Sequence, residues 1–599
     1  MRKRIFSWLF ILFITISLSV SFISNKEFFY NLSCNNQTSN YTPELLIKNS
    51  GYWVLSSVYI DGDAQGFGAH NWTWVESQEW FGGGSGTKED PYIIENITIN
   101  RNGDGNCIRI RDSEVYFEIR NCTCIYGFTA GIQLINVRRG KITNVNCANN
   151  SYGINLVGSN GIIIHQNDIV DNFCHGIFLE NSNSCIITEN SVIHNGYNPY
   201  RDGNLYIPEC HPRGGGIAFW TSYNSSITHN QINFNYHFGI ALGSTIVCSY
   251  WGSTKPCCNN LISNNIINDT VARLDEGGIW IRTNSNDNKI KNNILILANI
   301  EIGHCFRINM TENKLYYSWI SLGGTKSSDS SHFIDTTNKI NESTIYYMVN
   351  KSGGKLNNYS GAGMLILVNC NNTEISNMIF SSHTGIFMRY CFNNTLMENQ
   401  FNIWYHSGID CVMSSSNNIR NNLFNKCGIS LNHCNKNNIS ENHIFKGLDG
   451  IYLRSSSQNN VLENHISMAD YGMFIEKCRE ENTISQNHIS VADYGMFIWE
   501  SCNATISYNN IYNTNISIYL WDSSYNYVKS NILFSNKSCI LEDGVCIGNT
   551  FEENTCNETP ELPTDSILGY NSLVLIFSMT LIAVILYIEK NSKFAQEKA

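Results

Sequence analysis

The stretch HISMADYGMFIEKCREENTISQNHISVADYGMFIWE (465–500) states one phrase twice. His465-Ile-Ser-Met-Ala-Asp-Tyr-Gly-Met-Phe-Ile475 returns as His488-Ile-Ser-Val-Ala-Asp-Tyr-Gly-Met-Phe-Ile498, displaced by 23 residues. Walking upstream from Gly472 and Gly495, the same slot recurs at Gly450 (GIYL), Gly428 (GISL), Gly408 (GIDC), Gly385 (GIFM) and Gly363 (GMLI), in steps of 20 to 23 residues. Downstream, Ser517 (SIYL) fills it. A second ladder runs through Gly131, Gly153, Gly176, Gly216, Gly239 and Gly278. Fourteen residues after the slot an asparagine is usual: Asn167, Asn190, Asn230, Asn292, Asn377, Asn399, Asn422, Asn442, Asn464 and Asn531.

Each unit holds short alternating apolar runs, and alternation over three or four residues describes a short, half-buried strand. A period near 22 is too short for a helix pair or a propeller blade. It suits one turn of a parallel β-solenoid with three short strands, stacked ~4.8 Å from the next turn. Inward Ile and Leu then form apolar columns, and an inward asparagine bonds its counterpart one coil away. Glycine at the strand start is expected to permit a tight corner. Roughly 17 or 18 coils fit between residues 85 and 556, which predicts a rod ~80 Å long.

Charged residues make up 15% of the 599, and the formal net charge is -11, which disfavours a phosphate-gripping, nucleic-acid-binding protein. Asparagine is abundant, but 42% hydrophobic and 12% aromatic residues argue against disorder. Residues 1–24 join Met1-Arg-Lys-Arg4 to an apolar run and read as a signal peptide or signal anchor. Residues 25–90 read as an N-terminal cap covering the first sheet edge, 91–556 as the repeats, and 557–566 as a juxtamembrane spacer. The apolar segment 567–588 is long enough to cross a bilayer, and Lys590, Lys593 and Lys598 in the tail 589–599 favour a cytoplasmic end. The expectation is a single-pass cell-membrane protein with a large extracellular domain. The 22 cysteines suit an oxidising space. About 19 Asn-x-Ser/Thr sequons against roughly 13 by chance suit glycosylation.

The repeat resembles the right-handed parallel β-helix family, the pectin-lyase-like group that includes NosD-type periplasmic proteins. HFIDTTNKINESTIYYMVNKSGGKL (332–356) is similar to a segment that interrupts the coils of NosD-like surface proteins before a GxxILxNC coil, matched here by Gly363-Met-Leu-Ile-Leu-Val-Asn-Cys370. The resemblance implies an all-β, right-handed, single-stranded β-helix. It leaves function open, because the family hosts lyases, hydrolases, epimerases, accessory proteins and adhesins. NosD itself is associated with maturation of a copper enzyme, so copper enters as an expectation to test.

Function is sought where the period fails. Insertions at 195–215 and 244–277 emerge from the same corner two coils apart, with a third interruption at 323–360. The first two bring Arg201, Arg213, Asp275 and Glu276 toward one corner, with His237 on the coil between. The next face adds Glu180, Trp220, Trp280 and Arg282. Paired carboxylates could serve as acid and base, arginine could pair uronates, and tryptophan could stack on pyranose rings. Asp275, Glu276, Arg213 and His237 are the catalytic candidates; Trp220, Trp280, Arg282, Glu180 and Arg201 are the ligand-binding ones. The Asn-Thr-Asp, Asp-Asp, Gly-His-Gly and Arg-Ile-Lys set of the pectin hydrolases is present only as fragments, which weighs against catalysis. The first reading is therefore surface binding of a glycan or protein. The alternatives are a carbohydrate-active enzyme near 195–282 and a NosD-like accessory protein. Calcium at DGDAQG (61–66) lacks further ligands at loop spacing. Cys305, Cys370, Cys391, Cys434, Cys478 and Cys502 recur as a column of small buried thiols. His443, His465 and His488 should form an outward ladder whose imidazoles could share a metal, though coil duplication explains them without ligation. Disulfides are expected among the inserted loops rather than along the coils.

Overall fold

The computed structural model describes residues 52–196, 214–243, 255–268, 277–324, 331–357, 359, 361–381, 385–403 and 407–558. The apolar segments 1–24 and 567–588 and the insertion residues 197–213, 244–254 and 269–276 lie outside them. Among the described residues no helix is long and apolar enough to cross a membrane. The chain divides between Ile340 and Asn341 into two units, each a right-handed parallel β-helix.

In the first unit two ten-stranded parallel sheets rise side by side. One runs from Val58–Asp61 through Tyr152–Val157 and Gly277–Ile281 to Ile320–Gly323; the other runs from Tyr92–Glu95 to Phe333–Ile334. A third sheet climbs from Trp53–Leu55 to Lys339–Ile340. The first coil therefore begins inside the expected cap, where Trp53–Leu55 pairs with Ile97–Asp104. There a five-residue helix, Trp72–Glu76, is capped by Asn71 and buries Trp72 and Val75. Register is strict: Ile154, Ile177, Ile217, Ile240, Ile279 and Ile300 stand in one inward column. Leu156, Leu179, Phe219, Leu242, Ile281 and Ile302 form the next.

The second unit repeats this plan. Ten strands from Lys355–Leu356 to Thr550–Glu552 make one sheet. A second sheet begins at Ser343–Val349, within the segment expected to interrupt the coils. That strand pairs in register with Met364–Val368, so the interruption supplies a rung. From His465 onward two strands fuse into runs of 12 residues, His465–Glu476, His488–Trp499, Asn510–Trp521 and Ile532–Asp543, bent at Met468 (φ 58) and Val491 (φ 56).

The slot glycines have a different purpose from the one their position suggests. Gly450, Gly472 and Gly495 are absent from the positive-φ positions, so no special backbone requires them. A Cβ on Gly472 would lie 2.4 Å from the Gly495 carbonyl oxygen and 2.5 Å from Ile489 Cγ2 on the next coil. Glycine is needed because the adjacent rung passes too close for any side chain. Asparagine is the commonest residue at the left-handed corners, for example Asn96, Asn121, Asn224, Asn393 and Asn503, because its short side chain tolerates positive φ.

Asparagine also builds the inward columns. From Asn399 through Asn422, Asn442, Asn464, Asn487, Asn509 and Asn531 to Asn554, each Nδ2 donates to the next Oδ1 at 2.9–3.0 Å. Two expected members fall one residue off. Asn292 (φ 53) and Asn377 (φ 56) turn the corner, because their coils carry one more residue between slot and column. Asn293 and Met378 take the inward positions: Asn293 bonds Asn313 at 3.0 Å, and the Met378 N–H donates to Asn399 at 3.1 Å.

The thiol column is real but mixed. Cys370, Cys391, Ser414, Cys434, Ser456, Cys478, Ser501 and Ser523 succeed one another. Each backbone N–H donates to the sulfur or hydroxyl of the next at 3.0–3.4 Å. Cys502 is not a member; Ser501 holds its place, and Cys502 faces the half-exposed surface. Among the described residues one disulfide departs from expectation: Cys539–Cys556 ties two coil strands together. Cys174, on the strand His175–Glu180's approach, is disulfide-bonded as well.

Candidate functional site

Alternation directs the second residue after each slot glycine outward. In the first unit that column reads Gln133, Asn155, Phe178, Ala218, Ala241, Trp280, Glu301. Its middle members are buried despite facing away from the core, and with Tyr152, Cys174 and Phe238 they form a separate apolar cluster. Trp280 is only 1% exposed, and its ring packs against Phe238 at 5.5 Å. That leaves it no free face for a pyranose, contrary to the expected role. Arg282 lies 4.4 Å over the Trp280 ring and pairs with Glu301 at 2.5 Å, so its charge is already matched within the chain.

Glu180 and Trp220 are register partners on neighbouring strands. Lys255 bridges them, with Nζ 3.1 Å from the Glu180 carboxylate and 5.5 Å from the Trp220 ring centroid. His237 is buried beside Tyr236. Arg201, Arg213, Asp275 and Glu276 lie outside the described residues. The structure thus brings together Glu180 with Trp220 and Trp280 with Arg282, each closed by a partner the sequence did not announce, Lys255 and Glu301.

In the second unit the histidine ladder forms as expected. His443, His465 and His488 pair in register, with ring centroids 4.9 and 5.7 Å apart and the first two rings 6° from parallel. Imidazole lone pairs lie in the ring plane, so those of stacked, parallel rings do not converge on a metal. Among the described residues no group of three or more His, Cys, Asp or Glu is placed to hold one. At DGDAQG, Asp61 lies 3.6 Å from Arg111 and accepts from the Asp63 N–H, which offers calcium no ligand shell.

A richer surface lies on the 12-residue strands. The outward column Tyr452, Phe474, Phe497, Tyr519 stacks with centroids 5.1, 5.1 and 5.0 Å apart. Beside it run Tyr471 and Tyr494 at 5.2 Å on one flank, and Trp499 and Trp521 on the other. Carbon contact is made at about 3.5–4.0 Å. Centroids ~5 Å apart therefore overlap like shingles, each ring leaving part of a face and an edge outward. Trp521 is 43% exposed, and most of the other rings are half-buried.

Acids frame this field. Burial, and then Asp470, push the Asp449 carboxyl up to about 6, and burial and Asp493 raise Asp470. On the other flank burial works to raise the Glu476 carboxyl. The Tyr452 hydroxyl, Lys477 and Arg454 outweigh it and hold the carboxyl below its ordinary range. The Tyr519 hydroxyl donates to Asp543 at 3.2 Å. The geometry offers aromatic surface with hydrogen-bond acceptors at its rim, the pattern that holds a ligand by stacking and hydroxyl contacts. Sequence reasoning passed over it, although the signal was present. The third letter of GIYL, GMFI, GMFI and SIYL is aromatic in four successive coils, and alternation sends that letter outward.

Residues 324–490 and 403–560 match the family model described as periplasmic copper-binding protein (NosD), and residues 82–245 match that of the right handed beta helix region. No curated protein matches the chain. Among solved structures it is similar to DFA-IIIase from Arthrobacter chlorophenolicus A6, at 12% identity over 58% of this chain and 90% of that one, TM-score 0.30. It is also similar to the Pseudomonas phage phi297 tailspike gp61, at 10% identity over 64% and 48%, TM-score 0.21. The PL6 family alginate lyase AlyGC matches at 9% identity over 85% and 96%, TM-score 0.22.

The described residues do not fit a copper site. Among them no three His, Cys, Asp or Glu side chains converge. Burial pushes the Cys434 and Cys478 thiols up to about 12, with both sulfurs spent on backbone groups. Although the Cys391 thiol holds Cys370 down to about 7, no third ligand faces that pair. Two family models and coils built of stacked parallel strands agree: the chain is a NosD-like, pectin-lyase-like right-handed β-helix protein.

Proposed function

We propose that this β-helix is a membrane-anchored extracellular binding protein whose ligand, a glycan or a protein segment, lies across the aromatic face of the second unit. The observation carrying this reading is the field of eight rings, Tyr452, Tyr471, Phe474, Tyr494, Phe497, Trp499, Tyr519 and Trp521, on an outer sheet face with acids at its rim, all but the buried Tyr519 left partly exposed. A solenoid needs no such surface for its own core, and rings of this size exposed together mark binding surfaces. The apolar segment 567–588 and the disulfide Cys539–Cys556 support a chain held at the membrane with its coils in an oxidising space.

The test is a binding screen of the full chain in lipid vesicles against soluble polysaccharides and cell-surface extracts, with Trp499→Ala/Trp521→Ala beside the native chain. Retention of one ligand class that the double variant loses supports the reading. Equal retention by both removes the aromatic face from it. Depolymerisation of any polysaccharide in the same screen would favour the enzyme alternative, with its site near 195–282. A second reading, an accessory protein for a metalloenzyme, is favoured by the NosD match over 324–560. It requires copper uptake by the purified chain, and a chain that stays metal-free in copper-containing medium excludes it.

A further inference from the structure

Three sequons share one structural position. Asn224-Ser-Ser226, Asn393-Asn-Thr395 and Asn503-Ala-Thr505 each open on an exposed left-handed corner, with φ 55, 55 and 60. In each the middle residue turns inward and is buried: Ser225 at 3%, Asn394 at 1% and Ala504 at 2% exposed. The third residue begins a strand, Ser226–Thr228, Thr395–Met397 or Thr505–Ser507, and returns to the surface half-exposed. The acceptor amide and the hydroxyl therefore stand on the same outward side. The hydroxyls of Ser226, Thr395 and Thr505 make no hydrogen bond among the described residues.

Four other sequons are occupied by the fold. The Asn71 amide donates to the Ala64 carbonyl at 3.0 Å and its oxygen caps the Trp74 N–H at 3.1 Å. In Asn515-Ile-Ser517 the serine is buried and its hydroxyl pairs with that of Thr514 at 3.0 Å, while the Asn515 amide donates to Asp493 at 3.0 Å. In Asn371-Asn-Thr373 the threonine is buried and its hydroxyl bonds the Asn371 carbonyl at 3.1 Å. In Asn149-Asn-Ser151 the serine hydroxyl is held by the Phe128 carbonyl. At the corner sites the competing contacts are solvent-exposed amide bonds that leave the third-residue hydroxyl untouched: Asn393 Nδ2 donates to Asn372 at 2.6 Å, and Asn503 Nδ2 to the Arg479 carbonyl at 3.2 Å and the Cys502 sulfur at 3.4 Å.

We propose that Asn224, Asn393 and Asn503 carry N-linked oligosaccharides, an inference that rests on the extracellular location proposed above. The transfer forms a bond from Nδ2 to C1 of the first sugar of a lipid-linked pyrophosphate donor. The C1–O bond to the donor breaks, the pyrophosphate leaves with that electron pair, and one amide proton passes to the transferase. The corner position explains why the fold accepts the addition: the glycan extends from a turn, and the buried middle residue and the strand beyond it stay in place.

The full chain is expressed in an N-glycosylating host, its sidedness is read by protease protection of sealed vesicles, and its glycopeptides are mapped by mass spectrometry. The expected result is sugar-bearing peptides at Asn224, Asn393 and Asn503, and unmodified peptides at Asn71 and Asn515. Thr395→Val and Thr505→Val should each clear the sugar from their own asparagine while leaving the others, and Asn224→Gln should remove one mass increment. Bare peptides at all three sites in a chain whose coils lie outside would overturn this inference and leave the location standing. Bare peptides with the coils in the cytoplasm would overturn both. Sugar at Asn71 or Asn515 with the three corners bare would also defeat it.

Discussion

Asparagine has two separate physical duties here, and the sequence separates them only partly. At inward positions its amide donates to the next coil while its oxygen accepts from the previous one. At corners it turns the chain through positive φ. The fourteen-residue spacing located most of the inward members but chose Asn292 and Asn377, because a one-residue difference in coil length cannot be seen without the register. The two duties predict different costs. Asn464 Nδ2 donates to Ile439 O, Leu462 O and Asn487 Oδ1, and its own oxygen receives the Asn442 amide and N–H. Asn464→Ala strands several buried groups at about 1–3 kcal/mol each, so a loss of roughly 3 kcal/mol or more is expected in denaturant unfolding of the second unit. Asn292→Ala at its exposed corner should cost less, about 1–2 kcal/mol for holding alanine in the left-handed region. Equal costs would show that the column bonds contribute nothing beyond local turn preference.

At the scale of the rung, serine and cysteine alternate in one column because each needs only to accept a backbone N–H. Cys434 Sγ accepts from Ser414 N–H at 3.3 Å, and Cys434 N–H donates to Ser456. Cys434→Ser should therefore be tolerated within about 1.5 kcal/mol, while Cys434→Val leaves the Ser414 N–H buried and unpaired at about 1–3 kcal/mol more. Thermal unfolding of the pair distinguishes them, and a valine variant as stable as the serine one would mean that volume alone governs the column. The sequence made the cysteines legible as a buried stack but hid the serines, whose type is common everywhere else. The acid flank carries a pH prediction. The Asp449 carboxyl titrates at about 6 in the fold, raised from an ordinary ~3.9, chiefly by burial and then by Asp470. The folded state thus binds that proton more tightly, and the associated stability is complete below ~4 and lost as pH rises through about 6. The second unit should unfold at a higher temperature at pH 5 than at pH 7.5. Asp449→Asn should narrow the gap, with part of the remainder left to Asp410, which burial also raises to about 6. An unchanged gap in the variant would show that Asp449 does not drive it.

Over the whole chain, period and alternation made the solenoid legible, because every rung obeys the same steric rule. The candidate site was less legible. Its expected members Trp280 and Arg282 are consumed by Phe238 and Glu301, and the aromatic face emerges only when four coils are stacked in register. Stacking also dictates how such a protein comes apart. Each coil touches mainly its two neighbours, so stability is close to a sum of nearest-neighbour terms and loss begins at an end. The final rungs of the second unit are its weakest: Thr550–Glu552 is exposed throughout, with no buried residue of its own. Cys539–Cys556 holds Ile532–Asp543 to Thr555–Glu558 there, closing a loop of 17 residues. Closing a loop of that length is worth about 3 kcal/mol in the chain-entropy model. Cys539→Ser/Cys556→Ser should therefore speed native-state hydrogen exchange across 532–558 by up to about a hundredfold, since each 1.4 kcal/mol is a factor of ten. Strands as distant as Ile409–Val412 should keep their protection, because several intact rungs lie between. Uniform acceleration from 364 to 558 would instead mean that the unit opens as one cooperative body, and the additive, end-first picture of this solenoid would fail.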